Sequence, residues 1–403
     1  MNAGRTDNPR FASISVLRTA CDPNAPAYDP NNLDPVCDPN SPTFDPFTRS
    51  RPSSRRGEIT GSLRLTGGLK GRWDRTQFDL AYSPVASVYF ERSELNDISH
   101  NLSANWRHNY TPRTALSLSE YLNYTPEQDP DPNTLQQNAL LVPRTNTTNS
   151  TFRGTLGFQV SRPTSLSWSY RHVLRSFSSD DFVDSSNHNL GMQWQRRLAG
   201  RSSISAGYEY GAFSFSGGGN GAESHQASVG YGFASPRGFN LSANVGYNIL
   251  RPEDPNSEDS SGLYLNGSTG WQSDRVATTV GYSRGFRDGG GAFATAETHN
   301  AYGNVRFNLT QGLSADMIVA RNVHERLATS STSSSTTSSA SSSSDETIRS
   351  LNGTLSLNYT FAQNWGLRAA YTHYRQTFDG ATATALPEIR SNRYMVGINW
   401  SFQ

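Results

Sequence analysis

Through most of this chain, every second residue belongs to one chemical class and the residues between belong to another. The last stretch, RYMVGINWSFQ, shows it plainly. Tyr394, Val396, Ile398, Trp400 and Phe402 share one parity; Arg393, Met395, Gly397, Asn399 and Ser401 share the other. A period of two puts successive side chains on opposite faces of a β-strand. One face here is large and apolar, the other mostly small or polar. The pattern recurs back along the chain, so the fold must be built from strands with two chemically different faces. No segment sustains apolar residues at i, i+3, i+4 and i+7, the spacing of an amphipathic helix.

The strands come in pairs joined by short turns. These fall at Asp74-Arg75, Thr111-Pro112-Arg113, Ser161–Thr164, Leu198-Ala199-Gly200, Ser235-Pro236-Arg237, Ser273-Asp274-Arg275, Thr310-Gln311-Gly312 and Ala362-Gln363-Asn364. Longer segments rich in Ser, Gly, Asp and Asn separate one pair from the next. With Phe11–Thr19 as a first strand, the pattern predicts about 18 strands of roughly 9 to 14 residues, a length that suits a tilted strand crossing a bilayer. In the run from Phe78 to Phe90 the apolar parity either shifts at Val85 or rests on Pro84 and Ala86.

Two long loops stand out. Residues 20–56 carry a short duplication, CDPNAPAYDP and CDPNSPTFDP, whose Asp-Pro pairs favour turns. Cys21 and Cys37 occupy equivalent places in it and are the only cysteines, so a disulfide is expected in an oxidising compartment. A calcium site from Asp22, Asp29, Asp34, Asp38 and Asp45 is the alternative, but it lacks EF-hand spacing, and no metal is expected. The second loop, His324–Thr347, is a Ser/Thr-rich tract with nothing to bury.

A soluble sandwich would also alternate. Three features favour a membrane barrel of one domain spanning residues 1–403. Short and long connections alternate without exception across eight hairpins. Aromatic residues gather beside the short turns: Trp73, Phe78, Tyr110, Phe158, Trp194 and Phe233, then Phe239, Trp271, Phe307, Phe361, Trp365 and Phe402. That is where a membrane–water interface places amphipathic rings. An open sheet of so many long strands would also leave two hazardous edges, which closure removes. Mean hydropathy is −0.63, low because only alternate residues of such a wall face lipid. No run approaches the 18 or more apolar residues of a membrane helix. The opening MNAGRTDNPRF lacks the apolar core of a secretory signal, so an exported chain would start here as a mature form or a clipped reading frame.

In architecture, over nearly its whole length, the sequence resembles the Gram-negative outer-membrane β-barrel proteins of porin-like size. The resemblance implies an all-β, transmembrane, antiparallel up-and-down barrel with short periplasmic turns and long extracellular loops. It also implies that Tyr394, Val396, Ile398, Trp400 and Phe402 form the terminal signal read by the barrel-assembly machinery. Gln403 after Phe402 departs from the usual terminal Phe.

The face opposite the lipid is mostly small and polar, as in Ser165, Ser167 and Ser169 or Asn240, Ser242 and Asn244. A barrel of this strand number is too wide for such side chains to fill, so water inside is expected. Charges on that parity are Arg64, Arg107, Arg153, Arg171, Arg306, Arg368 and Arg393, opposed by Asp79, Glu209 and Asp316. The surplus points to a mild anion preference. Cross-strand Arg–acid pairs that merely brace the wall are the plainer alternative. Lys70 is the only lysine; fixed arginines suit a cavity lining, though codon bias would give the same skew.

Net charge is +1, so no nucleic-acid partner is expected. P-loop, HExxH and CxxC motifs are missing. His108, His172 and His373 fall on the lipid parity near strand ends, so neither an enzyme nor a cofactor is expected. The expected function is a passive outer-membrane pore for small polar solutes. The main rival is a non-enzymatic scaffold or anchor for a secretion, polysaccharide-export or electron-transfer complex. A lipid hydrolase with Ser and His on its outer wall is the enzymatic rival.

Overall fold

A computed structural model describes residues 2–6, 58–90, 93–126, 145–178, 182–198, 200–216, 221–254, 258–289, 293–327, 347–379 and 388–400. Its strands are β1 (Asn2–Thr6), β2 (Glu58–Arg64), β3 (Gly67–Arg72), β4 (Thr76–Tyr89), β5 (Asp97–Thr111), β6 (Thr114–Thr125) and β7 (Thr147–Gln159). They continue as β8 (Thr164–Phe177), β9 (Ser185–Arg197), β10 (Ser202–Phe215), β11 (Ala222–Ala234), β12 (Phe239–Pro252) and β13 (Ser260–Gln272). The last six are β14 (Val276–Gly289), β15 (Phe293–Asn308), β16 (Leu313–Arg326), β17 (Thr347–Ala362), β18 (Trp365–Asp379) and β19 (Ile389–Trp400).

From β4 to β18, each strand pairs antiparallel with the strands before and after it in sequence. The ladder returns to its start through β1. Ala3 stands opposite Val396 of β19 on one side and Gly61 of β2 on the other. β2 in turn pairs with β4. The sheet is therefore an up-and-down barrel wall, and closure leaves no long backbone edge unpaired.

β2 and β3 lie on β4 in one register, from Arg64 opposite Val85 to Gly67 opposite Tyr82. The gap at Leu65-Thr66 falls opposite Pro84, whose nitrogen has no hydrogen to donate. The carbonyl of Pro84 still accepts from the Leu65 N–H at 3.1 Å. Taken as one strand, β2–β3 makes the described wall 18-stranded.

All eight short turns fall where the alternation predicts them, for instance with Trp73 and Thr76 bonding each other across Asp74-Arg75. Gly200 and Gly238 take φ of 83° there, a conformation that costs glycine nothing. One expectation lies outside the described residues, one alternative is decided and one boundary needs correction. The strand that precedes β2 in the sheet is Asn2–Thr6, whereas Phe11–Thr19 lies outside the described residues. β4 keeps one register on β5 through Pro84, so its parity does not shift at Val85 and the apolar face rests on Pro84 and Ala86. His324, Glu325 and Arg326 belong to β16 and Thr347 to β17, because cross-strand pairing carries both strands beyond the expected loop boundaries.

The two faces divide as the sequence predicts. Of the described residues, 42 large hydrophobic side chains are exposed and only 11 hydrophobic residues are buried. All but Tyr121 of the exposed set point outward, on a belt that runs round the sheet. Soluble monomers rarely expose contiguous apolar patches beyond a few hundred Å². Such a belt is stable only against hydrocarbon.

Candidate functional site

The inner wall is where a solute would pass. On β15 to β18 it is a band of amides and hydroxyls. Asn300 donates to Asn322, Asn322 donates to Ser350 Oγ at 3.3 Å, and Thr354 and Thr372 hydroxyls meet at 3.1 Å. Cross-strand bonds of this kind hold polar side chains in place on a wall whose other face is apolar.

The inward charges fall into three groups. Arg306 stands opposite Asp316, with Nε donating to Oδ1 at 2.6 Å, while Asn358 donates to the other carboxylate oxygen at 2.7 Å. Arg171 reaches across β9 to Glu209, Nη2 to Oε1 at 3.6 Å. Gly191 makes that crossing possible: a Cβ there would lie 2.7 Å from Ser169 Oγ and 3.9 Å from Glu209 Oε2. Arg153 stands directly opposite Arg171 in the register, a second arginine next to this pair. The wall-bracing alternative thus describes Arg171–Glu209 and Arg306–Asp316.

The remaining charges are spread out. Arg107 bonds its own-strand neighbour Asn109, Nε to Oδ1 at 3.4 Å. Asp79 lies between Lys70 of β3 and Asn105 of β5 in the register. Arg64 is exposed at the end of β2. Arg368 and Arg393 come from adjacent strands β18 and β19, four positions apart along the ladder. Sequence reading missed Arg175, on the same face as Arg171, whose Nε donates to Asn149 Oδ1 at 3.1 Å. It also left out Arg326, opposite the buried Ala296 on the inward side.

Toward the loop end the inner wall turns apolar. Phe213, Ala222 and Leu250 pack together there with Phe215, Phe286 and Leu327. Ala296 and Ile348, and Tyr374 and Ile389, form two smaller buried groups that share Phe378. All three groups lie at the loop end of the inner wall. A signal for them exists in the sequence: after Tyr208 and Tyr210 the bulky residues of β10 switch parity to Phe213 and Phe215.

On the outer wall, Trp365 and Trp400 stack beside the turn end with centroids 5.7 Å apart. His108 bonds the Thr76 hydroxyl at 2.8 Å, His172 Nε2 lies 3.1 Å from Ser186 Oγ, and His373 bonds Asn392 at 2.7 Å. Each such bond links adjacent strands of the wall. Tyr394, Val396, Ile398 and Trp400 all face outward and are exposed; Phe402, Cys21 and Cys37 lie outside the described residues. At the loop end, the hydrogen bond from Arg390, with a second from Arg375, holds the Glu388 carboxyl below its usual range. Glu297, His299 and Glu325 come together on β15 and β16, but Glu297 is already bonded to Arg284.

No protein-family profile and no curated protein matches this chain. Solved structures do. The FrpB iron transporter from Neisseria meningitidis, as apoprotein, matches over 82% of this chain and 61% of its own, at 11% identity and a TM-score of 0.49. This chain thus spans about three fifths of the FrpB transporter's length. OccK2 (OpdF) of Pseudomonas aeruginosa, solved with glucuronate, matches over 86% of this chain and 93% of its own, at 11% identity and a TM-score of 0.45. The outer-membrane protein OpdK of the same organism matches over 85% and 92%, at 12% identity and a TM-score of 0.43.

Proposed function

We propose that this chain is an outer-membrane barrel of a Gram-negative bacterium that lets small polar solutes diffuse through its lumen. One observation carries this reading: a polar, hydrogen-bonded inner wall is wrapped by an apolar outer wall all the way round. Water inside and hydrocarbon outside satisfy both faces at once. The inward arginines left over after Arg171–Glu209 and Arg306–Asp316 favour a mild preference for anions. Tyr394 to Trp400 on β19 supply the outward alternation expected of a strand recognised during barrel assembly.

Purified protein reconstituted in a planar bilayer tests this. Stable conductance steps, with a reversal potential on the anion side in a salt gradient, are the expected result. Clear cation selectivity would overturn the preference. A sealed bilayer with inserted protein would overturn the pore. The apolar groups around Phe213 and Leu250 favour the second reading, a scaffold barrel with a closed lumen. It predicts silence in the bilayer together with copurifying proteins.

A further inference from the structure

The outer wall repeats one arrangement four times. Tyr82, Tyr170, Tyr208 and Tyr282 are each the seventh residue of a strand rising from a short turn. Each phenol bonds the Nδ1 of a histidine on the next strand, two residues nearer the loops than its direct partner. The pairs are Tyr82–His100, Tyr170–His188 and Tyr208–His225 at 2.8 Å, and Tyr282–His299 at 2.9 Å. β18 keeps the position with Tyr371, which donates to Asn392 at 2.9 Å. Eight residues of strand rise about 27 Å along its length, or about 20 Å along the membrane normal at a tilt near 40°. The imidazoles therefore stand close to the loop-side limit of an apolar band about 25 Å tall.

With Nδ1 held by the phenol, Nε2 is the ring atom left to leave the wall. It carries a hydrogen both in the neutral tautomer that accepts from the phenol and in the imidazolium. A donor at that height meets headgroup oxygens, and phosphate is the strongest acceptor among them. We infer that His100, His188 and His225 are binding sites for lipid phosphate, each set in tautomer and direction by its tyrosine. His299 differs, because its Nε2 already lies 3.8 Å from Glu297 Oε1. Among the described residues, Nε2 of the other three has no hydrogen-bond partner. His100 faces Tyr124 at 6.0 Å between ring centres, His188 stacks on His172 at 4.4 Å, and His225 faces Tyr210 at 5.3 Å, whose hydroxyl is bonded to Glu223. The pairs sit on β4–β5, β8–β9, β10–β11 and β14–β15, spread along the stretch of wall from β4 to β15. A continuous lipid annulus covers such a stretch; a second copy of the chain would cover one arc.

The inference rests on the wall crossing a bilayer and is indifferent to what passes through the lumen. The full chain with ¹⁵N-labelled histidine goes into phosphatidylcholine–phosphatidylglycerol vesicles, and dephasing of imidazole nitrogen signals by ³¹P is measured. Dephasing of an Nε2 population that disappears in the H100Q/H188Q/H225Q variant is expected, with H299Q leaving it unchanged. A gel shift of unheated protein reports insertion independently. Inserted protein without dephasing, whether monomeric or cross-linkable as a dimer, overturns the phosphate sites alone; protein that fails to insert overturns the bilayer-spanning wall as well.

Discussion

Leu355 and Ser356 are neighbours on β17 with opposite surroundings. Leu355 is 51% exposed and Ser356 is 4% exposed, and the alternation holds from Ser350 to Leu357. In a soluble domain the pattern would be reversed. Here exposure and wetness have come apart: the exposed leucines face hydrocarbon and the covered serines and threonines face a polar interior. The same contrast separates the two ends of the inner wall, polar along the middle and apolar near Phe213.

The largest expected effect comes from breaking that contrast. Leu355→Arg puts a cation against the acyl chains and should lower folding stability in vesicles by about 2–4 kcal/mol, whereas Ala315→Arg nearer the turn should cost less. Urea titration of the inserted protein measures both. Equal midpoints for Leu355→Arg and wild type would mean that this face is wet. Gly191→Val tests the inner side. Its side chain would collide with Ser169 and obstruct Arg171–Glu209, at a cost of about 1–3 kcal/mol. Glu209→Gln should leave the fold intact but free Arg171 beside Arg153, raising the anion-to-cation permeability ratio on the order of twofold. An unchanged reversal potential would show that this group lies off the solute path.

The smallest effect concerns pH. Arg390 and Arg375 lower the folded-state pKa of Glu388, so their contribution is complete above the ordinary carboxylate value near 4.5 and fades as pH falls through the lowered one. The group is one-third exposed, so the effect is slight. Glu388→Gln should be a little less stable than wild type at neutral pH and equal to it in strong acid. A gap that persists in acid would assign the loss to packing.

Much of this wall was legible because its information is local. Alternation of period two and a turn every other strand fix which residues face out, and both are read from windows of a dozen residues. Closure is different. β1 meets β19 and β2 through five residue pairs each, nearly 400 residues apart on one side, and nothing in NAGRT marks it as a strand. The interruption opposite Pro84 could have been read from the missing N–H. Arg171–Glu209 could not, because it depends on a register two strands away and on the room left by Gly191. The tyrosines of the outer wall were visible one by one. Their common seventh position emerges only when strand starts are known.

The central claim is that one layer of residues separates hydrocarbon from water. Single cysteines placed in turn at Leu351, Asn352, Gly353, Thr354, Leu355, Ser356 and Leu357, in a chain with Cys21 and Cys37 replaced by Ser, test it most directly in lipid vesicles. A small water-soluble thiol reagent should label the even positions and spare the odd ones, while a lipid-dissolved reagent should do the reverse. Equal labelling of both sets, or the opposite alternation, would contradict a barrel with a wet interior.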